Sequence, residues 1–271
     1  MAKLFEHERL VPAWLAVSRH LDSRTAADRT DRNLVLEISD PTALTPADLQ
    51  AFEKVDVALR SNPRMKGLNV KTVAGTIFPA ALYQRHGRTG MYTEFNSIMA
   101  RAKESGTWGT YAMRMMAWPA NKNGQPPINQ LEQTIIKLDR AAHGGHPFQS
   151  AFEVGIVPPE SLSEEAMLMP CEVSTFDPAI DGRKPTGMPC LSHLSFKMTD
   201  KEAVDLTAVY RSHHYAARAL GNLLGLSQLL EFVAKESKLK VGTLTCISSH
   251  AELDVISWGG APAAHVLLAS L

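Results

Sequence analysis

The residues of this sequence that could do covalent chemistry begin with one cysteine. Cys190 follows Pro189 in the run MPCLSHLSF, residues 188–196. A cysteine thiolate is a strong nucleophile, but the thiol needs a positively charged neighbour before it ionises readily. In an extended strand His193 points away from Cys190, so this histidine is not expected to activate the thiol. A lone cysteine is more often a small buried apolar residue, and its residue type alone favours that interpretation.

A second polar group lies in the run VYRSHH, residues 209–214. We place Arg211 and Ser212 between a strand and the start of a long helix, where helix amides, a hydroxyl and a guanidinium would together bind a phosphate. The common alternative is a helix cap beside a surface arginine. Asn222 falls inside the apolar helix, so its amide needs a partner from the backbone or from a ligand.

Hydrophobic periodicity predicts the elements that must position these residues. Helices are predicted for residues 3–22, 46–59, 91–104, 128–141 and 215–237, and strands for 33–38, 148–157, 189–198, 205–212 and 241–248. The apolar segment 66–84 fits either a strand or a helix. Helix 215–237 is apolar over much more than one narrow face, which is typical of a helix buried under a sheet.

The order of these elements predicts an α+β fold. Helices come first, followed by mixed strands with one central helix, and this order differs from the regular alternation of a doubly wound parallel sheet. We find no repeat, low-complexity tract or linker, so we expect residues 1–271 to form one domain. The loop 177–189 is polar, rich in Pro and Gly, and directly precedes Cys190. It is a candidate flap over a site.

Composition and charge exclude several classes of protein. The 271 residues are 45% hydrophobic and 21% charged, which is ordinary for a globular protein and excludes disorder for most of the chain. The 28 basic and 28 acidic residues give zero formal charge, so we expect neither a nucleic-acid nor a membrane partner. The N-terminus has charges where a secretory signal is apolar. With three scattered cysteines, we expect a cytoplasmic protein with reduced thiols.

The histidines do not have the spacing of a metal site. His143 and His146 form one pair and His213 and His214 another, but no carboxylate or thiol completes either set at ligand spacing. We interpret them as loop and surface residues and expect no metal. His250 follows a predicted strand and is weak evidence for a site by itself.

The order and spacing of these motifs resemble the thymidylate synthases. The matching features are PC-x5-F, YRS with an Asn eleven residues after its Arg, a long apolar helix, and KVG-x-L before a strand that ends near a His. GTYAMRMMAWP (109–119), the helix NQLEQTIIKL, the predicted strand around residues 150–152 and the N-terminal helix leading to residues 28–30 match as well. The resemblance covers most of residues 10–254, densely from 189 to 250 and thinly from 34 to 105.

This resemblance implies a fold and an activity. The fold is a mixed β-sheet with a long buried central helix and flanking helices, and the protein is a homodimer whose sheets stack back to back. The activity is a C5 methyl or hydroxymethyl transfer, in which Cys190 adds to C6 of a uracil nucleotide. C5 then takes one carbon from 5,10-methylenetetrahydrofolate.

The resemblance also assigns roles to residues around the nucleotide. Arg211 contacts both the Cys190 thiol and the substrate phosphate, and Ser212 and Arg29 bind that phosphate. Asn222 matches the asparagine that reads the pyrimidine edge, and an amide that donates and accepts suits O4 and N3–H of uracil. Relatives that act on cytosine tend to carry Asp at this position.

The remaining assigned positions lie around the sugar and the reacting carbon. His250 matches a histidine that bonds the ribose, and Glu252 takes the place of a tyrosine two residues beyond it. Tyr111 matches a tyrosine of the water network near C5.

Several positions depart from the family's pattern. Gly145 and His146 stand where the family has two arginines that hold the phosphate across the dimer, and the run GTIFP (75–79) lacks the catalytic glutamate. His214 stands where the family has a folate-contacting aspartate. Two interpretations therefore stay open: an enzyme of the superfamily with an eroded folate site, or a catalytically degenerate homologue that binds a nucleotide or another protein.

Overall fold

A computed structural model describes residues 1–24, 29–102, 109–118, 126–143, 172–174 and 189–271. Its helices are α1 (Leu10–Asp22), α2 (Pro46–Arg60), α3 (Val70–Ile77), α4 (Ala80–Ala102), α5 (Tyr111–Met116), α6 (Gln130–His143), α7 (Leu220–Glu236) and α8 (Ala261–Ser270). Its strands are β1 (Lys3–His7), β2 (Thr30–Ile38), β3 (Glu172–Ser174), β4 (Leu191–Thr199), β5 (Ala203–Tyr210), β6 (His213–His214) and β7 (Lys240–Glu252). A π-helical turn, Tyr215–Ala219, leads directly into α7.

The strands form a mixed sheet, as the sequence predicts. Their order is β1-β2-β7-β5-β4-β3, and the short β6 also pairs with β7. β5 and β6 run parallel to β7, whereas β2 is antiparallel to β7 and β4 is antiparallel to β5. One edge of the sheet therefore holds the beginnings of β2 and β4 and the ends of β5 and β7. We call it the site edge.

The long apolar helix lies in the core, as expected from its pattern. α7 contacts β5 and β7 on one side and α3 on the other, and α1 packs beside it against β1 and β2. Gly221 and Gly225 allow α3 to come very close, because their missing Cβ atoms would meet Val73 and the carbonyl oxygens of Val70 and Ala74 at 2.6–2.7 Å. These two glycines therefore set the distance between α3 and α7.

Two local signals explain how α2 and the start of α7 are placed. The Thr45 side chain accepts from the Asp48 backbone N–H and the Asp48 side chain accepts in return from the Thr45 N–H, so the two residues form a capping box at the start of α2. Trp14 on α1 is fully buried, and its indole N–H donates to the Tyr215 carbonyl at 3.0 Å. This contact ties α1 to the π-helical turn beside the site edge.

Some elements differ from the sequence-based expectation. Residues 3–7 form a strand rather than the start of a helix. Their backbone pairs in parallel with β2, and their side chains alternate in exposure. The ambiguous segment 66–84 is helical where it forms α3 and the start of α4. The predicted strand 148–157 and residues 177–188 of the candidate flap lie outside the described residues. Within the described ranges, no helix combines the length and apolar character needed to cross a membrane.

Candidate active site at the edge of the sheet

The site edge brings together residues that are far apart in the sequence. It holds Cys190 before β4, Arg211 and Ser212 after β5, His250 and Glu252 at the end of β7, and Arg29 before β2. The backbone N–H of Arg211 donates to the backbone carbonyl of Cys190 at 3.0 Å, so these two residues are adjacent at the ends of neighbouring strands. Strand direction explains the convergence. β5 and β7 end at this edge and β2 and β4 begin there, so residues that flank these strand ends lie close together.

Tyr111 holds the backbone of the cysteine. It is the first residue of α5, and its phenol oxygen accepts hydrogen bonds from the N–H groups of Cys190 at 3.1 Å and Leu191 at 3.3 Å. The structure therefore places Tyr111 beside Cys190, in contact with its peptide. One phenol oxygen thus holds the backbone of Cys190 and of the first residue of β4.

The start of β4, directly after Cys190, is irregular. The register of β4 against β5 shifts between Leu191 and His193, and Leu191, Leu194 and Phe196 all have fully buried side chains. A regular strand would put Leu191 and Leu194 on opposite faces. The simple alternation assumed from the sequence therefore does not hold at the start of β4.

Two arginines act on the Cys190 thiol. The thiol is partly buried, and burial raises its pKa above the ordinary value although Arg211 and, more weakly, Arg218 both lower it. The free protein consequently holds Cys190 mainly as a thiol at neutral pH. Arg218, an exposed residue of the π-helical turn, also acts electrostatically on Tyr111. Sequence analysis missed Arg218, although an arginine in the otherwise apolar start of a buried helix is a usable signal.

The helix N-terminus does not form the predicted phosphate site. The N–H groups of Ala216 and Ala217 donate to Asp254 Oδ1 at 2.8 and 3.4 Å, so a carboxylate of this chain already occupies the amide end of the helix. Ser212 lies before β6, three residues ahead of the helix. A phosphate bound by Arg211 and Ser212 would contact the β5–β6 connection instead. Asp254 lies far along the chain, and no local motif indicates its role.

Asn222 has a partner that the sequence analysis did not identify. Its side-chain nitrogen lies 3.1 Å from His213 Nε2, and His213 Nδ1 lies 2.9 Å from Ser248 Oγ. All three residues are buried. Burial lowers the pKa of His213 to about 3, so the imidazole is neutral near neutral pH. His213 is thus a buried strand residue of β6 and not a surface histidine.

The far side of the site edge brings together two residues that depart from the thymidylate synthase pattern. His214 Nε2 lies 4.0 Å from Glu252 Oε2, and these two residues are register partners in β6 and β7. The two departures from the family's pattern therefore meet in space. His250 lies opposite Arg32 in the β2–β7 ladder.

Arg29 lies at this side of the edge but points to another partner. Its guanidinium lies 3.3 Å from Asp22 Oδ1, and His265 Nδ1 lies 3.0 Å from the other oxygen of the same carboxylate. Its backbone carbonyl accepts from the Leu253 N–H at 3.2 Å. Asp22 thus contacts the Nε of Arg29, and a substrate phosphate would have to share this guanidinium with the Asp22 carboxylate.

A cavity elsewhere in the described part of the chain lies away from the predicted site residues. Among the residues that the structure describes, no cluster of three or more His, Cys, Asp and Glu side chains has the geometry to hold a metal ion. A cavity of about 230 Å³ lies between the start of α4 and the second half of α7, with Tyr83, Gln228 and Lys235 in its walls. No predicted site residue lines this cavity.

The raised pKa of Cys190 predicts a specific alkylation profile. In a Cys171→Ser background, we expect the rate of Cys190 alkylation by iodoacetamide to reach half its maximum at a higher pH than for an unstructured cysteine peptide, because only the thiolate reacts. Arg218→Gln should move this midpoint further up by removing a cation. Mass spectrometry distinguishes Cys190 from the buried Cys246, whose pKa burial raises to about 12. A midpoint below that of the peptide would contradict the prediction.

Comparison with known proteins gives a partial match. No family model matches the chain. It is 34% identical over 149 residues to a protein of Methanosarcina mazei named "Putative thymidylate synthase", which is 55% of this chain and 54% of the relative. Proteins with the same name from Methanococcoides burtonii (36% over 99 residues, 36% of this chain and 45% of the relative) and Methanosarcina barkeri (38% over 84 residues, 31% and 38%) match as well. The chain thus spans about half the length of these relatives or less, and the matches support a thymidylate synthase-like relationship.

Proposed function

We propose that this protein is a thymidylate synthase-like transferase that acts at C5 of a pyrimidine nucleotide through covalent addition of Cys190. The observation that carries the proposal is the placing of one partly exposed thiol under the influence of two arginines, Arg211 and Arg218, at the site edge. The names of the archaeal relatives support the same class of activity.

In this proposal the edge residues bind the nucleotide before the chemistry begins. The guanidinium of Arg211 and the hydroxyl of Ser212 bind the phosphate, and the Asn222 amide contacts the ring. His250 and Glu252 at the end of β7 face the sugar hydroxyls, for which an imidazole and a carboxylate are suitable partners. Holding the ring against a fixed thiol replaces a bimolecular encounter with a local one.

The covalent step uses the thiol and the amide together. Cys190 loses its proton to solvent water, with Arg211 and Arg218 stabilising the anion, and the sulfur adds to C6. The electron pair of the C5–C6 bond moves toward O4, where Asn222 donates a hydrogen bond to the developing oxyanion. C5 thereby becomes nucleophilic. In the exchange reaction C5 takes a proton from solvent water and then loses the proton that it first carried. The C5–C6 double bond re-forms as the C6–S bond breaks and the thiolate leaves.

The described residues do not fit 5,10-methylenetetrahydrofolate in the way that the resemblance implies. The family's folate-contacting aspartate is replaced by His214, so an imidazole stands where the family has a carboxylate, and this imidazole lies 4.0 Å from Glu252. We therefore derive no step through folate and leave the one-carbon donor unassigned. Folate use is a separate question for the assay below.

The second candidate function is a catalytically degenerate homologue that binds a nucleotide or another protein. The raised pKa of Cys190 favours it, because a protonated thiol is a poor nucleophile. In this alternative Arg211, Ser212 and Asn222 bind the ligand without any covalent addition.

We also propose a homodimer formed through the face of the sheet opposite α7. Val35, Val209 and Ile247 form a row of partly exposed side chains across β2, β7 and β5, on the face opposite α7. A row of β-branched residues suits packing against a second sheet. Analytical ultracentrifugation tests this expectation, and a monomer at micromolar concentration would contradict it.

Tritium release from C5 tests the catalytic proposal. We expect the protein to release tritium from C5-labelled uridine monophosphate or deoxyuridine monophosphate, because addition of sulfur to C6 makes the C5 hydrogen exchangeable. The assay is run with and without methylene-folate. Binding of nucleotide by calorimetry without any tritium release would contradict catalysis and favour the binding protein. Absence of both would overturn the nucleotide site.

A further inference from the structure

We propose that His213 is a positioning residue that fixes the Asn222 amide in one orientation and thereby makes the site select a uracil ring over a cytosine ring. This inference rests on the proposed function, because it assumes that Asn222 meets a pyrimidine. It assigns a role to a residue that lies next to the Arg-Ser pair in sequence but contacts neither the thiol nor the phosphate in our proposal.

The geometry holds the imidazole of His213 in place. His213 is 2% exposed and Asn222 is 4% exposed, so neither side chain moves into solvent. The His213 ring stacks on the fully buried Tyr210 ring with centroids 4.0 Å apart and planes 4° apart. The ring is also 5.1 Å from that of Tyr215. These contacts hold the plane of the imidazole.

The hydrogen bonds then determine where the single imidazole proton lies. Asn222 presents its nitrogen to His213 Nε2 at 3.1 Å, and an amide nitrogen can only donate, so Nε2 accepts. A neutral imidazole carries its proton on the other nitrogen, and Nδ1 therefore donates to Ser248 Oγ at 2.9 Å. Ser248 Oγ lies 3.3 Å from the Tyr215 hydroxyl, which completes a buried chain of four polar groups.

A fixed amide can read only one of the two pyrimidine edges. Uracil presents O4 as an acceptor beside N3–H as a donor, whereas cytosine presents an amino donor beside N3 as an acceptor. A freely rotating carboxamide satisfies either edge by exchanging its oxygen and nitrogen. In this protein that exchange would place Oδ1 against His213 Nε2, so it also requires the imidazole proton to move from Nδ1 to Nε2 and the Ser248 hydroxyl to become the donor to Nδ1. The amide keeps its orientation as long as this buried chain of hydrogen bonds keeps its direction.

A pair of variants separates positioning from simple packing. His213→Gln keeps an acceptor where Nε2 stands, whereas His213→Asn keeps a polar group near Ser248 but loses the acceptor for Asn222. Both variants lose the stacked ring, so they carry similar packing defects. Only the contact with Asn222 distinguishes them.

The experiment measures the dissociation constants of uridine and cytidine monophosphate by calorimetry, with inorganic phosphate as a control ligand. We expect wild-type protein to prefer the uridine nucleotide, and His213→Asn to lose this preference by roughly tenfold or more. His213→Gln should keep it within about threefold, and phosphate binding should be unchanged in both. An unchanged preference in His213→Asn, or equal wild-type affinity for both nucleotides, would overturn this inference but not the proposed function.

Two further outcomes keep the inference separate from the proposed function. Wild-type protein that binds neither nucleotide would overturn the proposed function and this inference with it. The tautomer is independent of any ligand: a two-bond proton–nitrogen correlation spectrum of wild-type protein should show His213 protonated at Nδ1. A proton on Nε2 would overturn the inference even if the variants fail to fold.

Discussion

Cys190→Ser is expected to lower tritium release from C5 of uridine monophosphate by at least about a thousandfold. A serine hydroxyl is far less acidic than a thiol, so the charges of Arg211 and Arg218, which favour the Cys190 thiolate, would yield far less of the serine anion. Calorimetry should show that nucleotide binding persists, because the phosphate and ring contacts come from other residues. The measurement is the initial rate of tritium release from matched concentrations of both proteins.

Cys246→Ala provides the matched cysteine control. Cys246 is fully buried in β7, with its register partners in β2 and β5, and it takes no part in the proposed reaction. This variant should keep the wild-type rate once a modest loss of stability is allowed for. If Cys190→Ser turned over at a rate near that of Cys246→Ala, covalent addition by Cys190 would be excluded.

Gly221→Ala is expected to destabilise the protein by about 2–4 kcal/mol. The added Cβ would lie 2.6 Å from Val73 Cβ and 2.7 Å from the Val70 carbonyl oxygen, and both atoms belong to α3. Backbone oxygen does not move aside without displacing the helix. Urea unfolding followed by circular dichroism measures the loss, and nucleotide binding should weaken as well because Asn222 is the next residue.

Gly75→Ala is the control for this prediction. Gly75 also lies in a helix, α3, but an added Cβ would have no atom within 4 Å. Alanine should therefore stabilise the helix by about 0.5–1 kcal/mol through the smaller entropy of the unfolded chain. Equal unfolding midpoints for Gly221→Ala and wild-type protein would show that α3 and α7 are not as tightly packed as described.

Much of the scaffold could be predicted because its signals are local. The α2 capping box and the apolar pattern of the long helix predict elements that the structure confirms. The prediction failed for residues 3–7, where a five-residue strand is stabilised by pairing with β2 rather than by its own periodicity. The expectation of one domain over residues 1–271 stays a prediction.

The residues of the candidate site were also predictable only in part. Motif spacing selected Cys190, Arg211 and Tyr111, and the fold brings these three together, although their catalytic roles stay proposals. Arg218 was missed although its place in an apolar helix start is a usable signal, and His213 was interpreted as a loop or surface residue because its local sequence does not show that it is buried. Their partners lie far along the chain or across the sheet.

By itself, the sequence determined which chemical groups are available and in what order the helices and strands follow. These depend on residue type and on periodicity over a few neighbours. Only the tertiary structure decided the state of those groups. Burial outweighs two arginines in raising the pKa of Cys190, Asp254 occupies the helix amides that a phosphate would use, and His213 orients Asn222. Each effect depends on distance and solvent exclusion between residues that the chain order separates.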